Sequence, residues 1–497
     1  MNYKVIYKWA RQYDKDKKLD KELNNYINQR YRYHQTLNAN GGVNIREAFY
    51  GGRTNNLKFY HECNANEEIK YLDFCCLYPY VLKTMKFPLK HPEVISENFD
   101  FTLKSYFGFA KCKILPPRRL YIPILPKRIN GKLMYTLCRT CAELQNSNPC
   151  NHTNDERLLI GTWTTIELIE ALARGYKIIE LIEVVHYKES SSTLFTPYIN
   201  MWLKIKQEAS GWPNWCKTKE QKLKYIEKYF IEENIKLEYD KIEFNPALRF
   251  IAKIMLNSFW EKLGQRPNLP QTLFIWSYKD YYKLATDPTK KLTGEVLINE
   301  DTIMVNWAHA DDSKATAKNY ALAIAAFVPA HARIKLCKLM EKIEKIRPGS
   351  LLYYDTDSVI FVRHLSDPVI ECGDYLGNLT DEILKDYGAD SKCIKFVSLG
   401  PKNYGYEVKK SNGDTKVLLK VKGISLSEKT LNIINFKMMI EMAIKYGNKE
   451  KHAISVPQLQ FRTDKQQQVF TKYIEKIFQP TSMNRAIKNN DTYPYGL

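Results

Sequence analysis

Tyr353-Tyr354-Asp355-Thr356-Asp357-Ser358 is the stretch that decides how this chain folds. Apolar residues flank it on both sides, and their alternation predicts a hairpin over 351–362 with Asp355, Thr356 and Asp357 at its tip. Two carboxylates two residues apart on an extended turn can aim at one point. At about 4 Å they repel by roughly 4 kcal/mol at an effective dielectric near 20. Ordinary carboxylate values leave both ionised at neutral pH, so a divalent cation is the natural resolution, and hard oxygen ligands favour magnesium. The alternative is an acidic surface turn, because Asp and Ser are common turn formers.

Further acids and bases fit around this hairpin. A strand-like run over 69–72 ends in Asp73. Asn245-Pro246 is a helix start, with Asn as N-cap and Pro at the first helical position, and the helix should stop near Gly264. On it, Arg249, Lys253, Asn257 and Trp260 fall within an arc of about 80°. Two cations one turn apart suit a triphosphate, and a solvated basic stripe is the alternative. A second long helix is expected from Thr316 to Ile346, with a kink at Pro329. Residues 14–35 suggest a surface helix, 138–156 a loop, 164–174 a helix closed by Gly175, and 178–185 and 416–421 strands. The order of elements implies an α+β fold with carboxylates at strand ends.

The bulk numbers agree with that chemistry. At 497 residues the chain needs several modules. A net charge of +20 suggests a polyanionic partner, and 34 Tyr suit base and sugar stacking as well as core packing. Met1 leads into charged sequence without an apolar leader, and the longest apolar stretch, 320–330, is too short to span a bilayer. No membrane association is expected. The eleven Cys then read as thiols or metal ligands in an intracellular chain, the nucleus being one option. Cys138, Cys141, Cys150 and His152 have spacing fit for a structural zinc site, free thiols in a loop being the alternative.

The motifs together resemble those of family B DNA polymerases. Tyr353-x-Asp355-Thr356-Asp357-Ser358 is similar to motif C, the run from Asp73 to Pro79 to motif A, and Lys253 to Trp260 to motif B, all in the family's order. Phe49-Tyr50-Gly51-Gly52 resembles the Y-x-G-G motif, and Lys402-Asn403-Tyr404 the K-x-Y motif. These point to the protein-primed branch, of the adenovirus and Polinton/Maverick type.

The resemblance implies a right-hand architecture: an antiparallel-sheet palm, helical fingers, a small thumb and insertions. Residues 1–48 would be the tail of a preceding region, 49–87 the first part of the palm, and 88–245 an insertion holding the zinc site. Residues 246–265 would be fingers, 266–310 a second insertion, 311–424 the rest of the palm, and 425–497 the thumb. It implies DNA-templated nucleotidyl transfer from dNTPs onto a DNA or protein-primer hydroxyl. Asp73 and Asp357 would hold two magnesium ions, with Asp355 beside them. Tyr78 would lie under the sugar and exclude a 2′ hydroxyl. Arg249, Lys253 and Asn257 would face the nucleotide, Gly51 and Gly52 the template strand, and Lys402 and Tyr404 would hold the primer terminus by charge and stacking.

The sequence also departs from the family pattern. Cys76 replaces Ser, Phe49 replaces Tyr, Trp260 replaces Tyr, and Glu261 stands where Gly is usual. The stretch before Phe49 is too short for the family's exonuclease, so a polymerase without proofreading is expected. Asp491 to Leu497 resembles a family C-terminus. A catalytically impaired DNA-binding relic is the rival reading.

Overall fold

A computed structural model describes residues 42–311, 320–448, 450, 452–464, 468–481 and 484–497. The helix expected over 14–35, most of the 1–48 stretch and the first residues of the helix expected from Thr316 lie outside these.

A nine-stranded sheet, antiparallel throughout, forms the centre. The first chain stretch contributes β1 (Thr54–Asn56), β2 (Tyr60–Glu62) and β3 (Glu67–Phe74). The second contributes β4 (Leu351–Asp355), β5 (Ser358–His364), β6 (Leu379–Asp381), β7 (Lys392–Gly400), β8 (Asn403–Lys409) and β9 (Thr415–Val421). The order is β1-β4-β5-β3-β7-β8-β9, with β6 paired to β3 and β2 to β7.

Both faces of the central strands are covered, which is why they read as nearly continuous apolar runs. Leu72, Phe74, Tyr354, Val359 and Phe361 pack on one side with Leu336 and Met340 of a long helix. Ile69, Tyr71, Leu352, Ile360 and Val362 pack on the other with Phe396, Tyr404 and Tyr406.

The helices that matter for the site are α1 (Leu77–Thr84), α2 (Thr165–Leu172), α3 (Thr196–Glu208), α4 (Pro246–Leu263) and α5 (Leu322–Ile346), the last packing on β4 and β5. The start and stop signals of α4 are where expected: the Asn245 side chain accepts from the Leu248 amide, and Gly264 is the C-cap. α5 continues through Pro329 as one helix.

Between α1 and α4 lies a four-stranded sheet containing Gly108–Leu115, Leu159–Thr164 and Lys177–His186. The loop expected over 138–156 holds two short helices, Arg139–Glu143 and Asn154–Arg157, the second opened by a Thr153/Glu156 capping box. Residues 266–310 contain a separate three-stranded sheet.

Two expected boundaries shift. Helix α3 packs along α4, so residue 245 divides a helix pair rather than two modules. Residues 484–497 do not stay with the helices and hairpin after 425: Asp491 bridges to Lys58, and Thr492 bonds the backbone at Asn56 and Leu57. Among the described residues no helix is long and apolar enough to cross a membrane.

Candidate active site

Strand register brings the acids together. Ser358 pairs with Asp73 across β5 and β3, and the Phe74 amide donates to the Asp357 carbonyl at 2.8 Å. The hairpin loop is only Thr356-Asp357, and Thr356 takes a left-handed backbone, φ 58°. A β-branched residue is strained there. It is held by its amide, which donates to the Arg53 carbonyl at 2.7 Å, and by its hydroxyl, 3.1 Å from an Asp355 oxygen.

Burial, reinforced by Asp357 and Glu382, pushes the Asp73 carboxyl up to about 7. Burial and Asp355 push Asp357 up to about 6. Asp357, one of the two hairpin acids, is thus pushed towards neutral pH in the metal-free site, and Asp73 beside it further still. Clustered oxygen donors that resist ionisation without a counter-cation fit a divalent ion, and hard oxygens suit magnesium. Asp355 is tied differently, to the Tyr353 hydroxyl at 3.3 Å and the Lys402 ammonium at 3.9 Å.

Tyr78 opens α1 two residues after Cys76, itself left-handed at φ 52°. The Tyr78 ring lies 4.8 Å from that of Trp260, and Trp260 also meets Phe49 edge-on at 6.2 Å. Two departures from the family pattern, Phe49 and Trp260, thus contact each other. Burial and the nearby Asp357 push the Tyr78 hydroxyl upward, so it stays protonated. On α4, Leu256 and Trp260 are buried, Asn257 is half-buried, and Arg249 and Lys253 are exposed. Arg249 donates to the Ser210 hydroxyl at 3.0 Å.

The two glycines have different reasons. A Cβ on Gly52 would come within 2.7 Å of the Thr356 hydroxyl, so this Gly makes room for the hairpin that carries Asp355 and Asp357. Gly51 is open on that side, and its carbonyl accepts from buried Arg333 at 2.9 Å. Only Gly51 leaves the backbone free for a strand to approach.

The stacking expected of Tyr404 is corrected. Its ring is buried at 3% exposure between Tyr353 (centroids 4.8 Å) and Phe396 (6.1 Å), leaving no face for a base. Lys402, by contrast, is exposed, and its backbone amide anchors the Tyr353 hydroxyl at 2.9 Å.

Two groups were not legible in the sequence. The Lys206 ammonium lies 3.1 Å from the Cys76 sulfur, which brings a third cation beside motif A. Arg333 and Glu167 form a buried ion pair at 2.7 Å that also holds the Tyr50 and Gly51 carbonyls. Neither sits in a local motif; only the packing of α3 against α1 and of α2 against α5 reveals them.

Away from the acids, Cys138, Cys141, Cys150 and His152 converge, with all four ligand atoms within 4.8 Å of one another. The three sulfurs lie 3.5, 3.2 and 3.6 Å from His152 Nδ1. A tetrahedral zinc site has S···N edges of about 3.5 Å. Arg118 braces the cluster by donating to the His152 carbonyl at 3.1 Å.

Comparison with known proteins places these features in context. Residues 9–223 match the family "DNA polymerase type B, organellar and viral". The chain is 22% identical over 388 residues to a probable DNA polymerase of Neurospora intermedia, covering 77% of this chain and 32% of that one. The fold is that of phi29 DNA polymerase. The complex of that enzyme with primer-template DNA and incoming nucleotide matches with a TM-score of 0.52 at 15% identity, over 88% of this chain and 62% of that one. An orthorhombic crystal form of it matches with a TM-score of 0.52 at 16% identity. The chain therefore spans about a third of the length of the curated relative.

Proposed function

We propose that this chain copies a DNA template by transferring nucleotides from dNTPs onto a primer hydroxyl, DNA or protein. The observation that carries the proposal is the register that sets Asp73 beside Asp357 at the mouth of the Tyr78–Trp260 contact. Asp73 and Asp357 would hold divalent magnesium, which lowers the barrier by activating the primer hydroxyl and neutralising the triphosphate. Tyr78 and Trp260 form the floor under the incoming sugar. Arg249, Lys253 and Lys206 bind the triphosphate, and Asn257 faces the nucleotide. Lys402 orients Asp355 and meets the primer phosphate, while Gly51 admits the template. The cluster of three Cys and one His holds a structural zinc ion, its sulfur–nitrogen edges matching that ion's tetrahedron.

Primer extension on a defined template with dNTPs and magnesium tests the proposal. Template-directed products that need magnesium support it, and a chain that binds DNA without extending it rejects it. One observation favours the second reading, an impaired DNA-binding relic: Glu261 is exposed beside Trp260 and close enough for its charge to act on Tyr78.

A further inference from the structure

The Cys/His cluster has a neighbour that a merely local brace would not need. Tyr495 is buried in one apolar cluster with Cys138, Cys141 and Ala142. Its carbonyl accepts from the Leu137 amide at 2.8 Å and from the Thr136 hydroxyl at 2.9 Å. Gly496 then lies flat on the first ligand, Cys138. A Cβ there would fall 2.5 Å from the Cys138 Cβ, and its φ of +90° disfavours any side chain.

The same segment reaches the palm. Ala486–Lys488 and Asp491–Tyr493 form a hairpin whose two loop residues, Asn489 and Asn490, are both left-handed, as a two-residue turn of that twist requires. From it, the Thr492 amide donates to the Leu57 carbonyl at 2.8 Å and the Thr492 hydroxyl to the Asn56 carbonyl at 2.7 Å. Arg485, 2% exposed, donates to the Thr492 hydroxyl at 3.0 Å. Asn56 ends β1, and β1 pairs with β4 so that Thr54 lies opposite Asp355.

We propose that the metal at Cys138, Cys141, Cys150 and His152 is a clasp: it fixes residues 484–497 across the palm edge and so holds β1 against the catalytic hairpin. This rests on the zinc reading above and adds what the ion controls. The apolar cluster around Cys138 is small, and four thiol and imidazole groups without an ion cannot close it as one unit. Loss of the ion loosens Leu137 and Cys138, and with them the surface that Tyr495 and Gly496 occupy. The palm sheet keeps its other strand pairs, so the effect is a local opening, not unfolding.

Hydrogen exchange on the full chain tests this, with bound metal measured by elemental analysis. Removing the ion with a chelator should speed exchange about tenfold or more over 484–497 and 54–59, while 358–364 stays protected. Readdition of zinc chloride should restore protection. Gly496→Val keeps all four ligands and pushes the segment off Cys138: one ion per chain should remain, yet 484–497 and 54–59 should exchange faster. If the ion is bound but its removal and Gly496→Val both leave 484–497 protected, the clasp is wrong and the zinc reading stands. If the purified chain holds no metal and takes none up, the zinc reading fails and the clasp with it.

Discussion

The rings of Tyr78 and Trp260 lie 4.8 Å apart, so the helix that follows the first catalytic acid and the helix that carries the basic arc meet through two aromatic side chains. Any nucleotide whose sugar rests on Tyr78 also feels the position of α4. In the proposed site the Tyr78 ring would leave no room for a 2′ hydroxyl, and replacing Tyr78 by Val would remove it. Incorporation of rNTPs relative to dNTPs should rise roughly tenfold to a hundredfold. Unchanged sugar selectivity in single-nucleotide insertion assays would take Tyr78 out of the nucleotide site.

Asp73→Asn or Asp357→Asn should lower extension by at least about a thousandfold while DNA binding stays within about twofold. Each change removes a metal-binding oxygen and no phosphate contact. Gel-shift and extension assays on the same preparations separate the two effects, and a mutant that extends normally removes its acid from the catalytic pair.

The raised Asp73 carboxyl has a thermal signature. Its folded value of about 7 exceeds the unfolded value, so the folded metal-free chain binds this proton more tightly. That stabilisation is complete below about pH 4 and is lost as pH rises through about 7. Asp73→Asn keeps the shape and removes the dependence. Without metal, the unaltered chain should therefore lose about 2–3 °C of Tm relative to Asp73→Asn between pH 5 and pH 8. Magnesium should shrink the difference. Parallel curves for the two proteins would mean that Asp73 is not held in the neutral form.

Much of this site was legible because its signals are local. The Asp355–Asp357 hairpin, the strand ending at Asp73 and the Asn245-Pro246 helix start each follow from period, turn chemistry or capping within a few residues. What was missed depends on contacts between distant stretches. Nothing near Tyr404 in sequence announces that Tyr353 and Phe396 bury it. The packing reason for Gly52 was hidden because its neighbour, Thr356, is about three hundred residues away. The 138–156 stretch read as a loop because its helices are single turns and its core is supplied partly by Tyr495.

The Arg333–Glu167 pair is the clearest case of such a distant contact, and its removal has a predictable sign. With side chains 2% and 0% exposed, neither charge can find water. Arg333→Met leaves Glu167 buried and releases the Tyr50 and Gly51 carbonyls. A cost of about 3–5 kcal/mol is expected, and the double change with Glu167→Gln should recover part of it. Chemical denaturation of the three variants measures this. A single mutant as stable as the parent would show that solvent reaches the pair.

Glu261 decides between a working enzyme and an impaired one. It follows Trp260 on α4, about 100° further round the helix, and its charge reaches Tyr78, whose hydroxyl it helps to push upward. Lys262, a possible neutralising partner, instead donates to Gln265 at 2.5 Å. A carboxylate about 6 Å from a triphosphate costs nearly 3 kcal/mol at a dielectric of about 20, but Glu261 is exposed, and water and salt reduce that repulsion. The expected result is impaired but measurable extension. Glu261→Gly should raise the single-turnover rate or dNTP affinity about tenfold, at some cost in helix stability near the end of α4. Glu261→Gln separates the two effects, because it removes the charge and keeps the helix former. Both variants should gain activity, and both gains should fade as salt rises from about 50 to 300 mM. If Glu261→Gln changes neither rate nor affinity at low salt, the carboxylate does not act on the nucleotide, and the departure from Gly carries no functional consequence.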